Sequence, residues 1–197
     1  AVQKKALLYD KSGEQHYNLI STVHKSLRVS DPDGALYWLG RMLEAGEDPL
    51  YVARRLVRFA SEDVGNADPR GIMVAVAAMQ AVDFVGMPEA FYPLSQACIY
   101  LSTAPKSNAS GMAYLSAKED VEKTRHEAVP LHLRNAVTPL MKRLGYGKDY
   151  QYAHDYKDAV VEQQHLPNNL KGRKYFVPKD AGHEATIKKG IESRKKP

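Results

Sequence analysis

The chain has 197 residues, 44% of them apolar, with 28 Lys and Arg against 23 Asp and Glu for a net charge of +5. That length suits one domain with a short appendage, and the apolar share is enough for a core. The single cysteine, Cys98, excludes a disulfide framework and favours a reducing, cytosolic compartment, and no apolar run nears the ~20 residues of a membrane span.

The opening residues carry no apolar segment of a signal peptide, and read as the cut end of a longer chain. The first clear helix is "EQHYNLISTVHKSL", whose stripe is Tyr17, Ile20, Val23, His24 and Leu27. Asp-Pro pairs follow at Asp31-Pro32, Asp48-Pro49 and Asp68-Pro69. Asp at the N-cap accepts a backbone N–H, and Pro at the first helical position loses no hydrogen bond there. Pro32, Pro49, Pro69, Pro88 and Pro105 lie 17, 20, 19 and 17 residues apart, which predicts one helix and a short turn per interval. Gly46, Gly65 and Gly86 supply the stops. Leu36, Leu39 and Leu43 share one stripe, and Ala53, Leu56, Val57 and Ala60 share the next. "GIMVAVAAMQAVDFV" is apolar on most sides, with Ile72, Val76, Met79, Val82 and Phe84, and is expected at the centre. "SNASGMAYLSAKEDVEKTR" is a further helix, apolar first and charged last, restarted by Pro105. The pattern predicts an all-α fold: a compact bundle of sequential antiparallel helices with an irregular C-terminal tail.

Beyond residue 128 one short helix is expected near 138–144, stopped by Gly145 and Gly147. The rest reads as extended chain over the body, with a short hairpin near 173–177 and tyrosines to pin it down. Residues 1–140 hold 15 basic against 16 acidic side chains, whereas 141–197 hold 13 against 7, so the excess charge lies in the tail. A basic tail suggests an anionic partner, or simply a solvated end.

No catalytic residue, cofactor loop or metal site emerges. "GYGKDY" lacks the first glycine and the hydroxyl of a phosphate-cradling loop. The seven histidines are scattered, and Cys98 lies in an apolar helical stretch, where an inert core thiol is expected. Three polar groups stand out. Arg54, Arg55 and Arg58 form a solvated, salt-bridged face, or contact a neighbouring subunit or a phosphate. Lys106, Ser107 and Asn108 crowd a helix start that could hold an anion, or receive the C-terminal tail of the same chain. His132, Arg134 and Asn135 share a loop where they can satisfy backbone groups, with His132 and Arg134 also candidates to contact a neighbouring subunit or an anion; an enzyme built on His132 and Arg134 needs a deep pocket with a carboxylate. Tyr146, Lys148, Tyr150, Tyr152 and Lys157 interleave rings and charges, the pattern of a single-stranded or gapped DNA contact.

The ordered motifs "HYNLISTVHKSLRVSDPDGALYWLGRMLEAGEDPLYVARRLVRFASEDVG", "YLSTAPKSNA", "VPLHLRNA", "LMKRLGYGKDYQYAHD" and "LPNNLKGRKYF" resemble the C-terminal region of the MgsA/RarA family of AAA+ ATPases. The Werner helicase-interacting protein is its eukaryotic relative. The resemblance implies a collar like that of clamp loaders, assembling a homotetramer without catalysis of its own. It divides the chain into 1–12 as the end of the AAA+ lid, 13–145 as the helical oligomerisation domain, and 146–197 as a basic tail packing on it. The parent protein would use ATP and magnesium upstream, at stalled or gapped replication forks. DNA and single-stranded-DNA-binding protein are its implied partners, in the cytoplasm at the nucleoid.

Overall fold

The structure, a computed structural model, describes residues 14–194. The expected lid end at 1–12 lies outside the described residues. Among these residues there are eight α-helices and no strand: α1 (Glu14–Arg28), α2 (Pro32–Glu44), α3 (Pro49–Phe59), α4 (Arg70–Val85), α5 (Phe91–Thr103), α6 (Ala109–Lys123), α7 (Pro139–Arg143) and α8 (Gly182–Ser193). The fold is all-α, as the periodicity predicts. It forms two compact units, one of residues up to 112 with 178–191, the other of 113–177 and the last described residues.

Local chemistry explains most helix starts. Asp31 accepts from the Gly34 amide at 2.9 Å, and Asp48 from the Leu50 amide at 3.0 Å, with Pro32 and Pro49 in the first turn. Asp68 accepts from the Arg70 amide at 3.1 Å, just after Pro69. Two expected starts are displaced. α5 begins at Phe91, beyond Pro88, and α6 at Ala109 rather than Pro105. A proline φ suits an extended segment as well as a helical first turn, and Pro105 sits in such a segment.

In the first unit α1 packs on α2, α3 on α4, and α4 on α5. α2 packs on α5 as well as on α1, and α5 also touches α1 and α3. The hub is therefore α5, with Leu94, Ala97, Cys98 and Leu101 fully buried. Around it stand Val23 and Leu27, Leu39 and Met42, Val52, Leu56 and Phe59. This corrects the expectation that α4 is central. α4 buries only Gly71, Ala75, Ala78 and Val82, whereas Phe84 is 91% and Met73 67% exposed. Its buried stripe is made mostly of small residues, which permits close approach; Met79 is only partly buried against the core, and Met73 and Phe84 point away.

α3 runs on through a π-helical turn, Ala60–Val64, to Gly65. There φ is +51°, and a Cβ would lie 2.7 Å from the Ser107 carbonyl oxygen, so only glycine fits. The second unit is built otherwise. It consists of the rest of α6, the short α7 and several 3-10 turns, and among its described residues only Asp120 is buried. The hairpin expected near 173–177 is absent. Arg173 instead reaches Asp120 through Nε at 2.7 Å, which holds that extended stretch in place.

Candidate functional site

The first unit contains a cleft of about 330 Å³ between α1 and α3. Tyr17, His24, Lys25 and Arg28 face it from α1, and Arg55 and Arg58 from α3. His24 and Arg28 are one turn apart, as are Arg55 and Arg58, so each helix contributes a pair to one face. Arg28 donates to Asp63 through Nε at 2.6 Å and Nη2 at 3.0 Å. Arg58 donates to Glu62 at 2.8 Å. In contrast, Arg55 Nε and His24 Nε2 are buried without a hydrogen-bond partner. His24 packs edge-on against Phe59, 5.6 Å away. Burial, aided by the Arg55 charge, lowers its pKa from 6.5 to about 4, so the imidazole is neutral near pH 7.

The expected arginine group thus divides. Arg55 and Arg58 share the cleft, while the Arg54 guanidinium lies 5.5 Å from the centre of the Tyr51 ring, a cation–π contact. The pairing with His24, Lys25 and Arg28 went unread in the sequence. Spacing within a helix ranks its faces, but no signal in it tells which face of another helix lies opposite.

Lys106, Ser107 and Asn108 do come together, and their groups are taken up within the unit. The Lys106 ammonium donates to the Ser102 carbonyl at 2.8 Å and to that of Ala104, completing the C-terminal end of α5. Burial lowers its pKa, and the Asp63 charge partly opposes that. Ser107 donates its hydroxyl to Glu184 and accepts from the Ala109 amide at 3.2 Å. Asn108 Oδ1 accepts from Lys179 at 2.6 Å. The segment therefore receives residues 178–191 of its own chain, one of the two uses expected for it. Glu184 is fully buried, and its second oxygen has no partner. Nothing in the sequence marked α8, which reads as part of a solvated end.

In the second unit His132 meets the Gln164 carbonyl at 2.7 Å, and Arg134 donates to the Val129 carbonyl at 2.6 Å. Arg134 also donates to the Tyr146 hydroxyl at 3.2 Å and stacks over its ring. These side chains satisfy backbone and fasten a loop. Tyr150 and Tyr152 are about half exposed, and Lys148 and Lys157 are exposed. Asp149, Asp155 and Asp158 outnumber those two lysines along the same stretch. The glycine–lysine turn spends its amides on its own backbone: the Gly147 amide donates to the Leu131 carbonyl at 3.0 Å, and Gly145 and Tyr146 donate back to Lys142 and Met141. No amide cradle is left there for a phosphate. Among the described residues no group of three His, Cys, Asp or Glu could hold a metal ion, and no helix is long and apolar enough to cross a membrane.

Large apolar side chains remain uncovered. On α4 and α5, Met73, Phe84 and Tyr92 are more than 60% exposed, around a groove lined by Val74, Ala77, Ala81 and Pro93. In the second unit the same holds for Tyr114, Val121, Val137 and Val177.

Comparison with known proteins places these features in context. The family model described as "MgsA AAA+ ATPase C terminal" matches residues 29–195, and that of an "AAA C-terminal domain" matches residues 1–28. The chain is 49% identical over 189 residues to replication-associated recombination protein A of Coxiella burnetii, covering 95% of this chain and 43% of that protein. It is 51% identical over 185 residues to the protein of the same name from Haemophilus influenzae, covering 93% and 42%. With ATPase WRNIP1 of Dictyostelium discoideum it shares 49% identity over 176 residues, covering 89% and 20%. The chain thus spans less than half the length of these relatives.

Proposed function

The chain belongs to the MgsA AAA+ ATPase C-terminal family, and we propose that it is the part through which copies of such an ATPase assemble, as a collar. One observation carries this reading: the second unit buries no apolar side chain among its described residues, while Tyr114, Leu115, Val121, Val137 and Leu140 are all more than half exposed. A unit without a core gains little from hydrophobic burial by itself, and a partner surface supplies what is missing. The uncovered face of α4 and α5 fits the same role. A homotetramer is the assembly expected from the family resemblance.

In this reading the chain performs no catalysis. ATP and magnesium would be handled by the remainder of the longer protein, which would act in replication and recombination, as its relatives' names state. DNA and single-stranded-DNA-binding protein would be met by that whole protein at the nucleoid. Direct DNA contact through Tyr146, Lys148, Tyr150, Tyr152 and Lys157 is the weaker alternative, because the carboxylates between them offset the lysines.

Sedimentation of the 197-residue chain at tens of micromolar tests the proposal. Association that is weakened by Phe84→Glu or Tyr114→Glu is expected. A strict monomer over that range rejects the collar reading.

A further inference from the structure

We propose that the cleft between α1 and α3 binds a phosphate group, with Arg55 and His24 at its floor and Lys25, Arg28 and Arg58 around its mouth. Four cationic side chains and one carboxylate, Glu62, line it. The cations are positioned before any ligand arrives. Arg28 is held by Asp63 and Arg58 by Glu62, so little side-chain entropy is lost on binding. At the floor, Arg55 Nε and His24 Nε2 are buried without partners, and His24 is only 6% exposed. Unpaired buried polar groups are costly, and a ligand that pairs them recovers that cost.

The chemistry of the donors selects the anion. A carboxylate offers two oxygens in one plane and a single charge, a poorer match to donors arriving from two helices. A phosphate offers three or four, with greater charge, and suits the guanidinium fork. The volume of about 330 Å³ exceeds a bare phosphate and matches the lower end of small-molecule pockets. Tyr17, at the wall and 64% exposed, presents a ring beside the phosphate position. The ligand is therefore a phosphate ester, either a mononucleotide or the end of a strand.

Binding also changes the titration of His24. Arg55, Asp63, Arg28 and Glu62 act on it directly, and Lys25, Arg58 and Tyr17 face the same cleft. Placed among these groups, an anion favours the imidazolium, so His24 takes up a proton at higher pH when phosphate is bound than when the cleft is empty.

The test uses the whole chain, with calorimetry for affinity and imidazole NMR for His24. Inorganic phosphate, a nucleoside monophosphate, and an oligonucleotide with and without a 5′-phosphate are titrated in turn. Saturable phosphate binding is expected, with an upward shift of the His24 titration. Arg55→Gln weakens binding about tenfold or more, the cost of one charge-assisted hydrogen bond. Arg54→Gln, on the Tyr51 side, leaves it unchanged. Should Arg55→Gln unfold, the exposed Lys25→Gln serves instead, and severalfold weakening is expected. A monophosphate bound tighter than either oligonucleotide assigns the source to a free nucleotide. A 5′-phosphorylated strand bound tighter than its 5′-hydroxyl form assigns it to a strand end. Absence of saturable binding at millimolar phosphate, equal binding by Arg55→Gln, or acetate or an acidic peptide bound as tightly as phosphate overturns the proposal.

Discussion

The hydroxyl of Ser107 donates to the fully buried carboxylate of Glu184, 77 residues further along the chain. The same oxygen of Glu184 accepts from the Lys179 amide at 3.0 Å. Ser107 thereby couples the approach to α6 with the start of α8. Ser107→Ala is expected to destabilise the chain by about 1–3 kcal/mol, because it deprives a buried carboxylate of a donor and α6 of a cap. Urea unfolding checks this, and an unchanged midpoint contradicts it.

Gly182 begins α8 with a φ of +50°, and a Cβ there would lie 2.2 Å from the Ala67 carbonyl oxygen. Gly182→Ala is expected to cost about 1–3 kcal/mol through the clash and the left-handed backbone. Amide hydrogen exchange should show α8 losing protection before α1–α5. Gly190, inside the same helix, has nothing within 4 Å of such a Cβ. Gly190→Ala is expected to strengthen α8 by about 0.5–1 kcal/mol. Equal effects of the two substitutions would refute the packing assigned to Gly182.

His24 makes stability depend on pH. Its folded-state pKa, about 4, lies below the ordinary 6.5, so on acidification the unfolded chain takes up the proton first. Its contribution is complete above pH 6.5, declines as pH falls toward 4, and is level below that. The loss amounts to about 3 kcal/mol at most. Denaturant midpoints measured across that window should flatten in His24→Phe, which keeps an aromatic edge on Phe59. A slope identical to that of the unsubstituted chain would remove His24 as the cause.

Cys98 is fully buried in the hub helix, and burial pushes its thiol up to about 12. The native chain is expected to resist a thiol reagent at pH 8, with labelling at the rate of unfolding. Labelling as fast as that of a free thiol would show the hub helix to be open.

The helix caps were legible because capping is local. Asp31 and Asp48 need only reach an amide two or three residues on, and a proline carries its φ with it. Gly46 and Gly86, likewise expected as stops, both take positive φ just past a helix. Pro105 misled because the same torsion serves an extended stretch of chain, and Pro88 because it serves the turn that leads into α5. α8 was illegible because its one buried residue is a glutamate, which no reading of hydropathy places inside. The spacing of Arg54 and Arg58 grouped them on one face, yet the cleft uses Arg55 and Arg58, since α1 approaches α3 from that side.

From the sequence alone came the helical class, most helix starts and stops, and the family resemblance; for residues 103–109 it left an anion site and a seat for the chain's own tail both open. Only the tertiary structure decided that α5 rather than α4 is the hub, that α8 exists, and that His24 and Arg55 meet. The reason is one of range. Torsions and capping bonds are settled within a few residues, whereas the meeting of His24 with Arg55, or of Ser107 with Glu184, depends on how all the buried surfaces fit at once.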